Sequence, residues 1–96
     1  MSAIVIGKEM GIDRSEFVRV MARTYGGEGF SMDGGRAVIA TGTRRMEVVH
    51  EESPRRRLGP LAMPAARVTL TFTGYGEAEA EIALAHFERR FLRAGG

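Results

Sequence analysis

Two stretches of the chain carry apolar residues at helical spacing, and the first lies just after residue 13. Its apolar members are Phe17, Val20, Met21 and Tyr25. They recur every three or four positions, as one face of an α-helix requires. Asp13 stands at the N-cap position with Glu16 three residues on, which is a capping box, and Gly26-Gly27 follows where helices commonly end. The pattern predicts a helix over residues 14–25.

The second apolar stripe lies in the last third of the chain, at positions i, i+4, i+7 and i+11. Its members are Ala80, Leu84, Phe87 and Phe91. Glutamates crowd the first turn of this segment and arginines crowd its last turn, an arrangement that complements the helix macrodipole. We therefore expect a second helix over residues 77–93.

Between the two predicted helices, short runs that alternate apolar with polar residues are separated by glycines, which is typical of β-hairpins. Two-residue loops at 34–35 and 42–43 join three strands in one register, and the third strand runs from Arg44 to Glu51. That register places one apolar set on a single face of the sheet. The set comprises Phe30, Met32, Ala37, Ile39, Met46 and Val48. Because all three strands agree, we predict that this face covers the core.

A fourth strand is predicted over residues 68–73, with its apolar residues pointing inward and its threonines outward. Residues 53–65 hold all three prolines and three adjacent arginines, so we interpret them as a loop or an irregular edge crossing. Residues 1–11 are either a loose lead-in or contain a short edge strand through residues 3–6, and the pattern leaves both alternatives open.

These elements predict an α+β fold of two layers. The sheet is a four-stranded antiparallel meander, with an N-terminal and a C-terminal helix packed on one face in the order α-β-β-β-β-α. The 96 residues form a single domain, 1–96. A hydrophobic content of 44% with a net charge of only +2 excludes an intrinsically disordered chain. Because the chain contains no cysteine, disulfide and thiolate chemistry are excluded as well.

No catalytic motif is present, so we predict a non-enzymatic protein without a cofactor or a metal ion. The two histidines, His50 and His86, are not accompanied by other donors at metal-ligand spacing, and His50 falls on the core face at the end of the third strand. Lys8 is the single lysine among 14 basic residues, a bias typical of GC-rich bacterial genomes. The first residues lack the apolar run of a secretory signal. We expect a bacterial, cytoplasmic protein that makes no membrane contact.

The sheet face that points away from the predicted helices is mildly apolar, whereas a fully solvated face normally carries more charge. Its members are Val38, Ala40, Val49, Thr69 and Thr71. We therefore predict a small interaction module that self-associates through this face as a homodimer or larger homo-oligomer, or that binds another protein. An alternative is anion or nucleic-acid binding through Arg55, Arg56 and Arg57, because guanidinium groups suit phosphates.

The final Gly95-Gly96 resembles the C terminus of ubiquitin-like proteins and bacterial sulfur carriers. The resemblance covers only these last residues, and it implies a carrier protein whose terminal carboxylate is adenylated and passed on. Those carriers end in an extended tail, whereas the helix predicted here reaches residue 93. Two interpretations of the glycine pair therefore stay open, a carrier terminus and a helix stop.

Overall fold

Five strands and two helices follow one another in the order β-α-β-β-β-β-α in a computed structural model, which describes the backbone of residues 3–95 and the side chains of residues 3–92. The elements are β1 (Ile4–Met10), α1 (Arg14–Tyr25), β2 (Phe30–Asp33), β3 (Arg36–Thr41), β4 (Arg44–Leu58), β5 (Leu61–Thr73) and α2 (Glu77–Gly95). The predicted α+β class is confirmed, with one strand more than the sequence indicated. Within the described residues, neither helix is long and apolar enough to cross a membrane.

Helix α1 begins where the capping pattern predicts. The Asp13 carboxylate accepts a hydrogen bond from the backbone N–H of Glu16 at 2.9 Å, which satisfies one of the free donors of the first turn. This bond is the largest reason that the pKa of Asp13 lies below its usual value, and the Ser15 hydroxyl, which donates to the same carboxylate at 3.0 Å, lowers it further. Phe17 is fully buried one turn into the helix. The predicted bounds, 14–25, are confirmed.

All five strands form one antiparallel sheet in the order β1-β5-β4-β3-β2. The predicted register is confirmed, because Phe30 pairs with Ile39 and Ile39 pairs with Met46 on the next strand. The N-terminal residues, which the sequence left undecided, form the edge strand β1 and place Ile4 opposite Phe72. Every second residue of β1 is half-buried, so this strand widens the core face.

Both helices pack on the same face of the sheet, as the predicted two-layer arrangement requires. The buried residues of that face and of the helices form one cluster, which is the core. Its sheet members are Ala37, Met46, Val48, Val68, Leu70 and Phe72, and its helix members are Phe17, Val20, Met21, Ala80, Phe87 and Phe91. His50 lies on the same face and is the one polar residue buried in the described part of the chain.

The prediction of a loop over residues 53–65 is wrong. Strands β4 and β5 continue past the rest of the sheet as a two-stranded hairpin that turns at Gly59-Pro60. Residues 54–64, called the arm below, pair with none of the other described strands. The molecule accordingly measures 47 Å along its longest axis and only 24 and 21 Å along the other two.

The turn of the arm repeats the turns of the two predicted hairpins. Gly34, Gly42 and Gly59 occupy the first position of their two-residue turns with φ of 60°, 59° and 61°. The second residue of each turn has a negative φ, which makes the turns type II′. Because proline fixes φ near −65°, Pro60 fits the second position and closes the hairpin instead of breaking it.

The other two prolines lie at an irregularity in the β4–β5 ladder. The register shifts between Ser53 and Arg56, so Pro54 and Pro64 stand where no ladder pair forms. A bulge is one of the few places in a sheet where a residue without an N–H group is tolerated. The prolines therefore mark a turn and a bulge within one continuous hairpin.

Replacing Asp13 with alanine should lower the melting temperature by a few degrees near neutral pH, because α1 loses its cap. The folded-state pKa of this carboxyl is lowered from 3.8. Its contribution is therefore present above the unfolded pKa and is lost as the pH falls through the lower folded value. The difference between wild type and variant should shrink at strongly acidic pH.

Thermal unfolding of wild type and Asp13→Ala at about pH 7 and about pH 2 measures this effect. Glu28→Ala, a change in an exposed loop, is the control and should leave the melting temperature unchanged. An equal loss for Asp13→Ala at both pH values would show that the carboxylate does not act as the cap.

Neighbouring residues of β5 should respond very differently to truncation. Leu70 is fully buried, so Leu70→Ala should cost about 2–5 kcal/mol of unfolding free energy. Thr71 points to the other face and is half-buried, so Thr71→Ala should cost well under about 1 kcal/mol. Urea unfolding of the two variants compares them directly, and similar losses would contradict a sheet covered on one side.

Candidate interaction surfaces

The sheet face opposite the helices, called the outer face below, brings together the residues predicted to form a contact surface. Cross-strand pairing sets Thr71 beside Glu47 and Glu47 beside Val38. In the next row of the ladder, Thr69 pairs with Val49. Paired residues of an antiparallel sheet share a face, so these side chains form one surface.

Strand β1 adds a residue to this surface that the sequence prediction missed. Val5 pairs with Thr71 and is 62% exposed, which makes it the most exposed large apolar side chain on the sheet outside the arm. Val38 and Val49 are half-buried, and Ala40 is exposed near the end of β3. An edge strand through residues 3–6 predicts the orientation of Val5. Successive side chains of a strand point to opposite faces, so Val5 points away from the core when Ile4 and Ile6 point toward it.

Charged residues on the outer face alternate in sign. The guanidinium Nε of Arg36 donates to the Glu47 carboxylate at 2.6 Å, and Arg45 approaches the same carboxylate at 4.0 Å. Exposed ion pairs of this kind contribute little to stability. Their consequence here is electrostatic. The negative charge of Glu47 is balanced by arginines of the same chain, so the middle of the outer face carries little net charge.

A glycine shapes the β1 side of the outer face. A Cβ at Gly7 would lie 2.8 Å from Nη2 of Arg67 on the neighbouring strand. The absence of a side chain therefore lets the Arg67 guanidinium lie against the backbone of β1. Glu9 and Glu51 pair with Arg67 from the two sides, so the sign of the charge alternates along this row too.

The arm carries the predicted anion-binding residues, and all three lie exposed on it. Arg56 pairs with Met63 and Arg57 with Ala62, while Arg55 lies in the bulge. The pair nearest the turn, Leu58 and Leu61, is 63% exposed at both residues. The arm thus combines basic and apolar side chains without an acidic one. Because the sequence analysis treats this segment as a loop, it does not predict this surface. The signal for a hairpin is that Gly59 occupies the same turn position as Gly34 and Gly42.

His50 is buried and joins the end of the core face to the start of α1. Its Nε2 atom lies 3.0 Å from the carbonyl oxygen of Ile12, and its ring centroid lies 4.9 Å from that of Phe17. Arg14 donates from Nη2 to the backbone oxygen of His50 at 2.9 Å. Because a carbonyl oxygen can only accept, Nε2 is the donor in this hydrogen bond. With 1% of its surface exposed, His50 is a structural residue with no access to a substrate.

Among the described residues, two open cavities lie beside the core. One of about 390 Å³ lies between the end of β1 and α2, where Met10, Phe87 and Phe91 line it and the ion pair of Lys8 with Glu88 borders it. The other, of about 400 Å³, lies at the base of the arm and includes Glu9 and Arg56. Within the described residues, no group of three or more His, Asp or Glu side chains is arranged to hold a metal ion.

The carrier hypothesis concerns residues at the edge of the described chain. Helix α2 runs to Gly95, two residues beyond the predicted end at 93. Gly96 lies outside the described residues, so the proposed carboxylate chemistry stays a prediction.

Comparison with protein-family models, with curated proteins and with solved structures found no match for this chain. The outer face and the arm are therefore the features of this chain that bear on its function.

A second buried titratable group, after His50, belongs to neither surface. The Tyr25 hydroxyl is buried and has no hydrogen-bond partner among the described residues. Its ring meets that of His86 edge-on, with centroids 6.0 Å apart. Burial raises the pKa of Tyr25 to about 12, and Tyr75 adds to the rise while Arg90 opposes it. The geometry assigns Tyr25 to packing at the α1–α2 contact.

Tyr25→Phe should be at least as stable as wild type near neutral pH, because the change removes a buried hydroxyl that makes no hydrogen bond. The folded-state pKa lies above the unfolded value of 10.0. The wild type should therefore lose stability as the pH rises from the unfolded pKa toward the folded one, and Tyr25→Phe should not show that loss.

Urea unfolding of both proteins at about pH 9 and about pH 11 tests the prediction. The free energy of unfolding of the wild type should fall more steeply between these values than that of Tyr25→Phe. Parallel behaviour of the two proteins would mean that the Tyr25 hydroxyl is solvated in the folded state.

Proposed function

We propose that this protein is a small, non-enzymatic interaction module that self-associates through its outer face. The observation that supports the proposal is a group of valine and threonine side chains around Glu47 on a five-stranded face that no described element covers. Val5 is largely exposed next to Thr71, the half-buried Val49 lies next to Thr69, and the half-buried Val38 lies beyond Glu47. Single exposed apolar residues are ordinary, but a contiguous group on a flat surface is typical of a contact site.

The chemistry of the outer face favours a second copy of the chain as the partner. A two-fold interface opposes a surface to itself, so that surface has to complement its own charge. The outer face meets this condition because Glu47 lies between Arg36 and Arg45, and Arg67 lies between acidic neighbours. Two copies would therefore bring no block of like charge together.

The shape of the outer face fits sheet-on-sheet packing. Five strands spaced ~4.8 Å apart span roughly 24 Å, and two such sheets pack ~10 Å apart in β-sandwiches. Valine and threonine are the residues that pack well on such pleated surfaces. The apolar side chains of one copy would then cover those of the other, which removes Val5 and Val38 from water.

We also propose a cytoplasmic location. The absence of cysteine supports it, because small domains of oxidising compartments commonly rely on disulfides.

Sedimentation velocity over about 1–100 µM protein tests self-association. The wild type should sediment as a dimer or larger species, and Val5→Arg and Val38→Arg should each weaken the association at least tenfold. Two introduced charges would meet across the two-fold axis without partners, which is costly in a buried interface.

Ile82→Arg is the matched control. Ile82 is 71% exposed on α2, so the variant makes the same kind of apolar-to-arginine change away from the sheet. It should leave the sedimentation profile unchanged. A wild type that stays monomeric at the highest concentration would refute the proposal, and equal weakening by all three variants would move the contact away from the outer face.

A further inference from the structure

The net positive charge of the protein is concentrated in the arm. Three of the 14 basic residues lie there with no acidic residue, and the other basic residues are fewer than the 12 acidic ones. The chain outside the arm is therefore slightly negative. A net positive charge that resides on one projecting element points to an anionic partner for that element.

We propose that the arm enters the major groove of duplex DNA and that its arginines contact the phosphates on both sides of the groove. The inference goes beyond the proposed self-association and does not depend on it, because the arm projects past the part of the sheet that forms the outer face.

The dimensions of the arm match the major groove. A β-sheet layer with its side chains is ~10 Å thick, whereas the major groove is ~12 Å wide and the minor groove only ~6 Å wide. Residues 54–58 extend about 16 Å at ~3.3 Å per residue, which exceeds the groove depth of ~8.5 Å. A two-stranded ribbon of this size can therefore reach the floor of the groove.

The arginines are distributed as this placement requires. Arg56 pairs with Met63 and Arg57 pairs with Ala62, so the two guanidinium groups project from opposite faces of the ribbon. A ribbon that enters the groove edge-on turns one face to each wall, and each wall carries a phosphate strand. Arg55 lies in the bulge at the base of the arm, where it adds a third positive charge near the rim.

The tip of the arm suits the floor of the groove. Leu58 and Leu61 flank the Gly59-Pro60 turn and are each 63% exposed. Apolar side chains can contact the thymine methyl group in the major groove, but residues 58–61 carry no polar side chain for the other base edges, and the phosphate contacts carry no sequence information. We therefore expect binding that depends on duplex shape and charge more than on sequence.

An anionic membrane is the competing partner, since phosphates and an apolar layer occur there as well. Basic clusters that hold proteins on membranes contain roughly four to eight Lys or Arg residues, and the arm has three. A flat surface also meets only one face of a ribbon, so it would leave either Arg56 or Arg57 without a phosphate. Both observations favour DNA.

Fluorescence anisotropy with a labelled duplex of about 24 base pairs and mixed sequence tests the inference at about 50 mM salt. The full-length wild type should bind in the micromolar range. Three phosphate contacts per arm predict a slope of log K against log salt near −2.7, at ~0.9 per contact. The combined variant Arg55→Ala, Arg56→Ala, Arg57→Ala should lose at least tenfold in affinity and flatten that slope.

The matched control removes three exposed arginines from the helices: Arg19→Ala, Arg23→Ala and Arg89→Ala. It changes the net charge by the same amount, and it should alter the affinity less than twofold. Both triple variants should keep the wild-type circular dichroism, because none of the six side chains is buried. Equal losses in the two variants would overturn the inference by showing that overall charge governs binding.

Two further ligands complete the test. Single-stranded DNA of the same length and vesicles that contain anionic phosphatidylglycerol are titrated with wild type. Weaker binding to the single strand supports entry into a groove, and equal or tighter binding overturns it. Arm-dependent binding to the vesicles without binding to duplex DNA would replace DNA with a membrane surface as the partner.

Discussion

The pairing of β4 with β5 is the constraint on which the rest of the structure depends. These strands are the longest, they lie at the centre of the sheet, and every other strand is added to one of them directly or through β3. Their shared register puts Met46 opposite Phe72 and Val48 opposite Leu70, so the centre of the core is assembled from one ladder. Because side chains alternate along a strand, the same ladder also determines what lies on the outer face. A slip of one residue would exchange the two faces completely.

One polar residue completes this arrangement at the end of the core. His50 pairs with Val68 and follows the row of apolar pairs, and its ring packs against Phe17 while Nε2 donates to Ile12 O. The contact ties the segment just before α1 to the central ladder. A second tie runs the other way, from the Arg14 guanidinium to the His50 carbonyl. The start of α1 is thus held by its own cap at Asp13 and by the end of the core face.

The local signals in the sequence were sufficient for the helices and for the first three strands of the meander. Asp13 with Glu16 predicted the start of α1, and the two glycine turns predicted the register that joins Phe30 to Ile39 and Met46. These features depend on neighbours in the chain, so a pattern over a few residues contains them. The sequence leaves two alternatives for the residues of β1, because a short apolar run before a glycine fits an edge strand and a loose terminus equally well. Its pairing with β5 is a contact across more than 50 residues, which no local pattern contains.

The arm was missed for a different reason, and the reason bears on the candidate surface. Prolines normally argue against a strand because they cannot donate to a ladder. Here Pro60 takes the turn position that needs a negative φ, while Pro54 and Pro64 meet at the bulge where no donor is needed. The three adjacent arginines then alternate between the faces of a ribbon instead of crowding a flexible loop. Predicting the candidate site on the arm therefore required recognising the turn at Gly59-Pro60. The signal for that turn in the sequence is that Gly59 holds the same turn position as Gly34 and Gly42.

The two candidate surfaces lie on one ladder but differ in the physics that suits them. The outer face is flat and close to neutral. Its exposed valine side chains are stabilised most when an apolar surface removes them from water. The arm projects past the sheet and carries the net charge of the molecule, so it gains most from a polyanion that surrounds it on two sides. The bulge at Ser53–Arg56 separates them, since it ends the register of the sheet and begins that of the arm. In a two-fold pair stacked through the outer face, the continuous strand β5 would hold each arm at an angle set by the sheet, so that two arms of fixed spacing would project from one body.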